Sequence, residues 1–320
     1  MQYGKVEGVD KPVSRIFLGS ASIPENMDTN EWLTSVFNTG VNAIDTARVY
    51  PNSEQTIGRW FYQSGNRDKV VVLSKCCHPF LRIKRVNAKT IKKELEESLE
   101  ALKTDYIDIY VTHRDDPKVN VGEIVEAFNE LKALNKIRAF GCSNWTHERI
   151  EEANEYSYRN NLTPFAVSSP SFSLANQLGM VWDKTCVTIS GCSRQNARDW
   201  YRKSQMPILA YSSLGRGLLS GRINSSMIEN IDLYLDRFAQ RGYAYPENYE
   251  RLKRCELLAQ KKGASVAQIA LAWIFHQGMN MFAVVNTSKA ERMRENIGAF
   301  NILLSDEECL FLDLEVDRLM

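Results

Sequence analysis

Apolar and polar positions fall into two alternating kinds of stretch along this chain. Short apolar runs bounded by polar or turn residues read as strands at 13–19, 41–45, 69–74, 106–112, 137–142, 165–168, 206–210 and 282–285. Longer stretches with helical spacing separate them, at 28–38, 53–64, 87–102, 121–136, 146–158, 194–203, 247–262, 266–275, 289–300 and 306–314. In 87–102, for example, Ile91, Leu95, Leu99 and Leu102 fall on one face. Asp28 or Thr29 is placed to cap the first helix and Gly40 to stop it.

Strand and helix taking turns in this way predict an α/β chain folded as a (β/α)8 TIM barrel, with long loops at its C-terminal mouth. A doubly wound open sheet is the rival, and it calls for a glycine-rich turn after the first strand. Gly19-Ser20-Ala21-Ser22 is not that turn. No linker divides the chain, so residues 1–320 read as a single barrel domain. The stretch 214–246 is long for a connection and holds Gly215, Gly217, Gly221 and Gly242, as lids and binding loops do.

Composition narrows the class. With 320 residues and 44% hydrophobic content a sizeable core can form. The 40 Lys plus Arg against 39 Asp plus Glu argue against nucleic acid as a partner. No apolar run is long enough to span a membrane, and the polar start MQYGKVEGVDKP is unlike a secretory signal. The seven cysteines form no CxxC pair, which fits a reducing cytoplasm. Cys76-Cys77-His78 invites a metal, but adjacent cysteines are poorly spaced to share one, and none is expected.

The predicted strands deliver polar residues at their C-terminal ends: Asp45, Lys75, His113, Asn144 and Tyr211. In a barrel those ends line one mouth, where active sites are built. Taken singly each has a plainer reading. Asp45 could cap a helix, Lys75 be a solvated surface group, and His113 belong with Arg114-Asp115-Asp116 to a polar surface loop. Their shared placement argues otherwise. Asp45 is placed to pair with Lys75. The ammonium beside Tyr50 would stabilise a phenolate and lower the tyrosine's pKa, and His113 would offer a second donor to the same oxygen. That set suits proton delivery to a developing alkoxide, with Tyr50 as general acid and hydride from a cofactor.

Read together, these motifs resemble the aldo-keto reductases over nearly the whole chain, from RIFLGS at Arg15 to RMRENI at Arg292. IDTARVY resembles the family signature, with tyrosine five residues after aspartate. Ser74-Lys75 looks like the motif of the catalytic lysine, and DYIDIYVTHRDD like that of the histidine. The resemblance implies a catalytic tetrad of Asp45, Tyr50, Lys75 and His113, and reduction of an aldehyde or ketone, or oxidation of an alcohol, with NADPH/NADP.

It also implies a cofactor site. Ser143 and Asn144 in GCSN would hold the carboxamide, and Tyr211 would stack on the nicotinamide. Leu214, Gly215 and Arg216 would fold over the pyrophosphate. The segment 286–296, with Asn286, Thr287, Ser288, Arg292, Glu295 and Asn296, would grip the adenosine end, its cations and hydroxyls favouring the phosphorylated coenzyme. Many members carry a glutamine where this chain has Ser169, which reaches less far. Arg48, Phe80 and Trp145 are expected in the substrate pocket, Arg48 otherwise pairing with Glu54 or Asp116. Two other readings are a non-catalytic cofactor-binding regulator of the same fold and a cofactor-free barrel lyase or isomerase using Lys75.

Overall fold

The computed structural model describes residues 1–23, 28–81 and 83–319. Two short strands, β1 (Tyr3–Gly4) and β2 (Val13–Ser14), pair antiparallel. The barrel then runs through β3 (Ile16–Gly19), α1 (Thr29–Phe37), β4 (Ala43–Asp45), α2 (Ser53–Ser64), β5 (Val71–Cys76), α3 (Ala88–Leu102), β6 (Ile107–Thr112) and α4 (Val121–Ala133). It continues through β7 (Ile137–Ser143), α5 (His147–Arg159), β8 (Val167–Ser169), α6 (Gln195–Ser204), β9 (Ile208–Ala210), α7 (Arg237–Tyr243) and α8 (Pro246–Lys262). The chain closes with α9 (Val266–Phe275), β10 (Met281–Val285), α10 (Ala290–Ile297) and α11 (Asp306–Leu312). Strands β3 to β10 pair in parallel and in order, and β10 returns to β3. The fold is an eight-stranded parallel barrel ringed by helices, a (β/α)8 TIM barrel.

The expected beat of strand and helix holds, with edges moved. The first predicted strand is two: β2 turns back onto β1, and β3 alone enters the barrel. Val6 and Val13, from the β1–β2 hairpin, pack with Phe17, Val71, Ile109 and Phe282 inside the barrel, so the hairpin stops its N-terminal end. A second apolar layer lies between barrel and helices. It takes in the predicted face of α3, whose Asn87 cap accepts the amide of Thr90 at 2.9 Å. The 214–246 connection is not irregular throughout: it carries 3-10 turns at Gly215–Gly217 and Ser225–Leu233, and then α7.

Register sets which side chains meet at the mouth. Gly19 lies opposite Asp45, Lys75 opposite Val111, and Ser143 opposite Ser169. At Gly141 an added Cβ would sit 2.0 Å from the Val167 carbonyl oxygen. Only glycine lets β7 and β8 approach so closely.

Candidate active site

The C-terminal ends of β4, β5 and β6 bring the expected groups together. Lys75 Nζ lies 2.6 Å from Asp45 Oδ2 and donates to the Thr46 carbonyl at 2.9 Å. Both partners are buried. The loop after β4 turns sharply, with Tyr50 N–H donating to the Ala47 carbonyl at 3.0 Å. The turn sets the Tyr50 ring over the pair, its centroid 5.1 Å from Lys75 Nζ. The His113 ring stands edge-on to Tyr50 at 5.8 Å, its backbone held by the Cys76 carbonyl at 2.7 Å.

Burial dominates the electrostatics of this group. It raises the Asp45 carboxyl above its ordinary range, against the pull of Lys75. Burial disfavours the Lys75 ammonium too, but Asp45 and Tyr50 outweigh it and Lys75 is held above the usual lysine value. The Tyr50 hydroxyl is raised by burial and by Asp45, while the charge and hydrogen bond of Lys75 pull it down. The expected lowering of the Tyr50 pKa is therefore corrected: the contribution of Lys75 has the expected sign, and burial outweighs it. His113 is pushed well below the ordinary histidine range, by burial first and then by the charges of Lys75 and Arg114. It is neutral at physiological pH, and its buried Nδ1 has no hydrogen-bond partner among the described residues.

Next around the mouth, Ser143, Asn144, Ser169 and Tyr211 form one hydrogen-bonded set. Asn144 has φ +62°, a left-handed conformation that asparagine tolerates. Its Nδ2 donates to the His113 carbonyl at 3.1 Å and to Ser143 Oγ at 3.0 Å. Its Oδ1 accepts from the Tyr211 hydroxyl at 2.6 Å and the Val187 amide at 3.0 Å. Ser143 Oγ donates to the Ser169 carbonyl, and Ser169 Oγ to the Leu209 carbonyl, each at 2.8 Å. The Ser169 hydroxyl is fully buried, with acceptor capacity left over.

Tyr211 packs against Trp182 at 5.9 Å, and the Arg216 guanidinium lies 4.9 Å from the Trp182 ring. Arg216 also pairs with Asp236 at 2.8 Å. Leu214, Gly215 and Arg216 thus sit in a tight turn, with φ +56° at Gly215 and +51° at Arg216. Across the mouth, the Thr287 hydroxyl is turned inward onto the Lys289 carbonyl at 3.0 Å, and its own carbonyl takes the Trp32 indole at 3.0 Å. Asn286 donates to the Ser22 carbonyl at 3.5 Å. Ser288, Arg292 and Glu295 are exposed, and Asn296 is buried. The N-terminus of α10 has no side-chain cap.

A cleft with an empty volume of ≈ 580 Å³ opens beside Lys75, walled by Arg48, Val49, His78 and Phe80. Phe80 is 63% exposed and does line it. Arg48 lines it too, and pairs with Glu97 at 3.0 Å and Glu54 at 3.9 Å; Asp116 is taken by Lys84 instead. Trp145 is corrected. It is 1% exposed, packs on Phe165 at 5.4 Å, and donates its indole N–H to the Arg114 carbonyl at 3.3 Å. It stands behind Arg114 and not in the cleft wall. Two mouth residues escaped the sequence reading. His78 stacks edge-on at 4.8 Å from His113, and Arg114, to which the sequence reading gave no role, is 5% exposed. Position directly after the histidine was the available signal for Arg114.

Among the described residues no cluster of His, Cys, Asp or Glu is placed to hold a metal ion. No helix among them is long and apolar enough to cross a membrane.

The family described as Aldo/keto reductase family matches residues 15–313. Similar curated proteins include norsolorinic acid reductase of Aspergillus flavus, 27% identical over 293 residues, covering 88% of this chain and 69% of the relative. Aldo-keto reductase YhdN of Bacillus subtilis is 27% identical over 291 residues, covering 87% of this chain and 82% of the relative. Aryl-alcohol dehydrogenase [NADP(+)] of Phanerodontia chrysosporium is 27% identical over 329 residues, with 94% and 82% covered.

Proposed function

The chain belongs to the aldo/keto reductase family, and from that premise we propose that it reduces the carbonyl of an aldehyde or ketone with NADPH, Tyr50 giving the proton. The carrying observation is the buried Lys75–Asp45 pair at 2.6 Å beneath the Tyr50 ring, with neutral His113 edge-on to that ring. When bound, the dinucleotide supplies hydride to the carbonyl carbon. Tyr50, its pKa raised by burial above the ordinary tyrosine value, holds the proton that it delivers to the developing alkoxide. Lys75, kept charged by Asp45, stabilises the phenolate left behind. His113 adds one N–H to the substrate oxygen without itself taking a proton.

The residues of the mouth suit such a cofactor. Tyr211 presents a half-buried aromatic ring beside the Ser143, Asn144 and Ser169 set. Leu214, Gly215 and Arg216, in their tight turn, would cover the diphosphate. At the far side the uncapped α10 N-terminus, exposed Ser288, Lys289 and Arg292 form the donor set that a ribose phosphate wants. Thr287 shapes that turn through its inward bonds, while Asn286, Glu295 and Asn296 border the adenosine end. The printed name of the Phanerodontia relative, with NADP(+), favours the same coenzyme. The substrate is a small carbonyl compound, or its alcohol in reverse, entering the cleft beside Arg48 and Phe80.

NADPH oxidation over a broad carbonyl panel tests this. Tyr50→Phe is expected to lower turnover about 10²- to 10⁴-fold with the fold intact. Equal rates for the two proteins would remove Tyr50 as the acid.

A further inference from the structure

Two arginines flank the reacting groups, and their charges are met differently. Arg48 has Glu97 at 3.0 Å and Glu54 at 3.9 Å. Arg114 is 5% exposed, and its Nε has no hydrogen-bond partner among the described residues. Its Nη1 donates to the His113 carbonyl at 2.9 Å. The acid that faces it, Asp183, stands 3.7 Å from Nε, too far for a hydrogen bond. Asp183 is also engaged by the Thr185 amide, at 2.7 Å to Oδ1, and its side chain is 42% exposed. A buried guanidinium with a donor left over costs stability, and a chain with no use for that donor would gain by pairing it.

The Arg114 guanidinium lies within electrostatic reach of the reacting groups. Arg114 follows His113 directly, and the Tyr50 and His78 rings lie 5.8 and 4.8 Å from the His113 ring. The Arg114 charge is felt at Tyr50, His113 and His78 alike. His78 donates its Nδ1–H to the Pro79 carbonyl at 2.9 Å, and an imidazole in either protonation state brings no negative charge to Arg114. Among these groups Lys75 is neutralised by Asp45, and Arg114 is the cation whose counter-charge is loosest.

We propose that Arg114 is an anion subsite, receiving the carboxylate of an oxo-acid or formyl-acid substrate whose carbonyl lies at Tyr50 and His113. The assignment rests on the carbonyl-reduction reading for the identity of that substrate, but not for the subsite itself. The carboxylate takes the Nε that Asp183 does not reach, and Asp183, being partly exposed, yields toward solvent. Guanidinium geometry suits a carboxylate. The competing role is a clamp, in which Arg114 and Asp183 only tie the segment after β8 to the end of β6.

The test compares kcat/KM for 4-oxobutanoate with butanal, and for 4-formylbenzoate with benzaldehyde. It uses wild type, Arg114→Met, Arg114→Lys and Asp183→Asn, with folding checked by circular dichroism. Benzoate binding, followed by tryptophan fluorescence, runs beside it and needs no turnover. Wild type is expected to prefer the charged member of each pair. Arg114→Met should reduce that preference about ten- to a hundredfold, as loss of a charge-assisted hydrogen bond does. Arg114→Lys should keep part of it, and Asp183→Asn, which removes the competing acid, should increase it. Benzoate should bind wild type and be lost in Arg114→Met. A clamp predicts that Arg114→Met and Asp183→Asn act alike on charged and neutral substrates, and that result overturns the subsite. Equal use of both members with no benzoate binding also overturns it, while leaving carbonyl reduction standing. Benzoate binding that depends on Arg114, in a protein that reduces no carbonyl, would keep the subsite and sink the reduction instead.

Discussion

Each end of the barrel carries a buried carboxylate with a cation against it, and the two are built differently. At the closed end Asp108, fully buried, has Lys11 at 2.5 Å, Arg67 at 2.9 Å and the Val72 amide at 2.9 Å. Lys11 comes from the hairpin that stops the barrel, so this acid ties the stopper to the strands. At the mouth Asp45 has one cation, Lys75, and Lys75 in turn faces Tyr50. An acid clamped by two cations and a backbone amide serves the fold. An acid with a single partner holds that partner charged for use elsewhere. On the proposed function, the same pairing chemistry serves stability at one end and reactivity at the other.

The largest effect expected from breaking this contrast is at the mouth. Lys75→Met should lower turnover about 10²- to 10⁴-fold, measured as NADPH oxidation at saturating coenzyme. It should also change how stability responds to pH. Asp45 is already raised by burial, and losing Lys75 removes the strongest pull in the other direction. A carboxyl raised in the folded state binds its proton more tightly there than in the unfolded chain. That stabilisation is complete below the unfolded value of about 3.9 and is lost as pH rises through the folded value. Lys75→Met should therefore lose stability between acid and neutral pH more steeply than wild type, read from urea midpoints across that range. A parallel profile would detach Asp45 from Lys75.

Asp108→Ala is the matching break at the closed end. It strands two cations, and should cost about 3–5 kcal/mol in denaturant unfolding, with turnover per folded molecule unchanged. Lost turnover at preserved stability would erase the division between the ends. Arg292→Ala comes next: it should raise the dissociation constant for NADPH about ten- to a hundredfold and leave NADH nearly as before, by fluorescence titration. An equal loss for both coenzymes would take Arg292 out of the phosphate site. Arg48→Gln should do least, because its pair with Glu97 is partly exposed on both sides. Its stability should stay within about 1 kcal/mol of wild type, and its preference for charged substrates should not fall as that of Arg114→Met does.

The contrast also marks what could be read from residue order. The barrel was legible because strands buried on both faces are apolar runs, and because Asp45, Lys75 and His113 interrupt them at their ends. The closing hairpin was not, since β1 and β2 are two residues each and carry no period. Arg114 received no role because Arg-Asp-Asp is equally the composition of a polar surface loop. Two of its partners, the Trp145 indole on its carbonyl and Asp183 facing its guanidinium, are distant along the chain. Trp145 was placed in the cleft for the converse reason: an aromatic after a strand does not declare which neighbour it supports. The direction of the Tyr50 shift escaped too. Spacing identifies the charges around a hydroxyl, whereas the loss of water that outweighs them is set by the assembled mouth.

The Asn144 amide has a consequence for how anything binds beside it. Both its N–H groups and both lone pairs of its oxygen are engaged within the protein. Rotating the amide by half a turn would set N–H against N–H and oxygen against oxygen, so its polarity is fixed. A carboxamide arriving there would bond to it only by exchange: its N–H would displace the Tyr211 hydroxyl or the Val187 amide from Oδ1, or its oxygen would displace the His113 carbonyl or Ser143 Oγ from Nδ2, and the number of bonds to Asn144 would stay the same. Recognition at that point then acts as a filter on orientation and contributes little to the strength of holding, which has to come from the far end of the ligand.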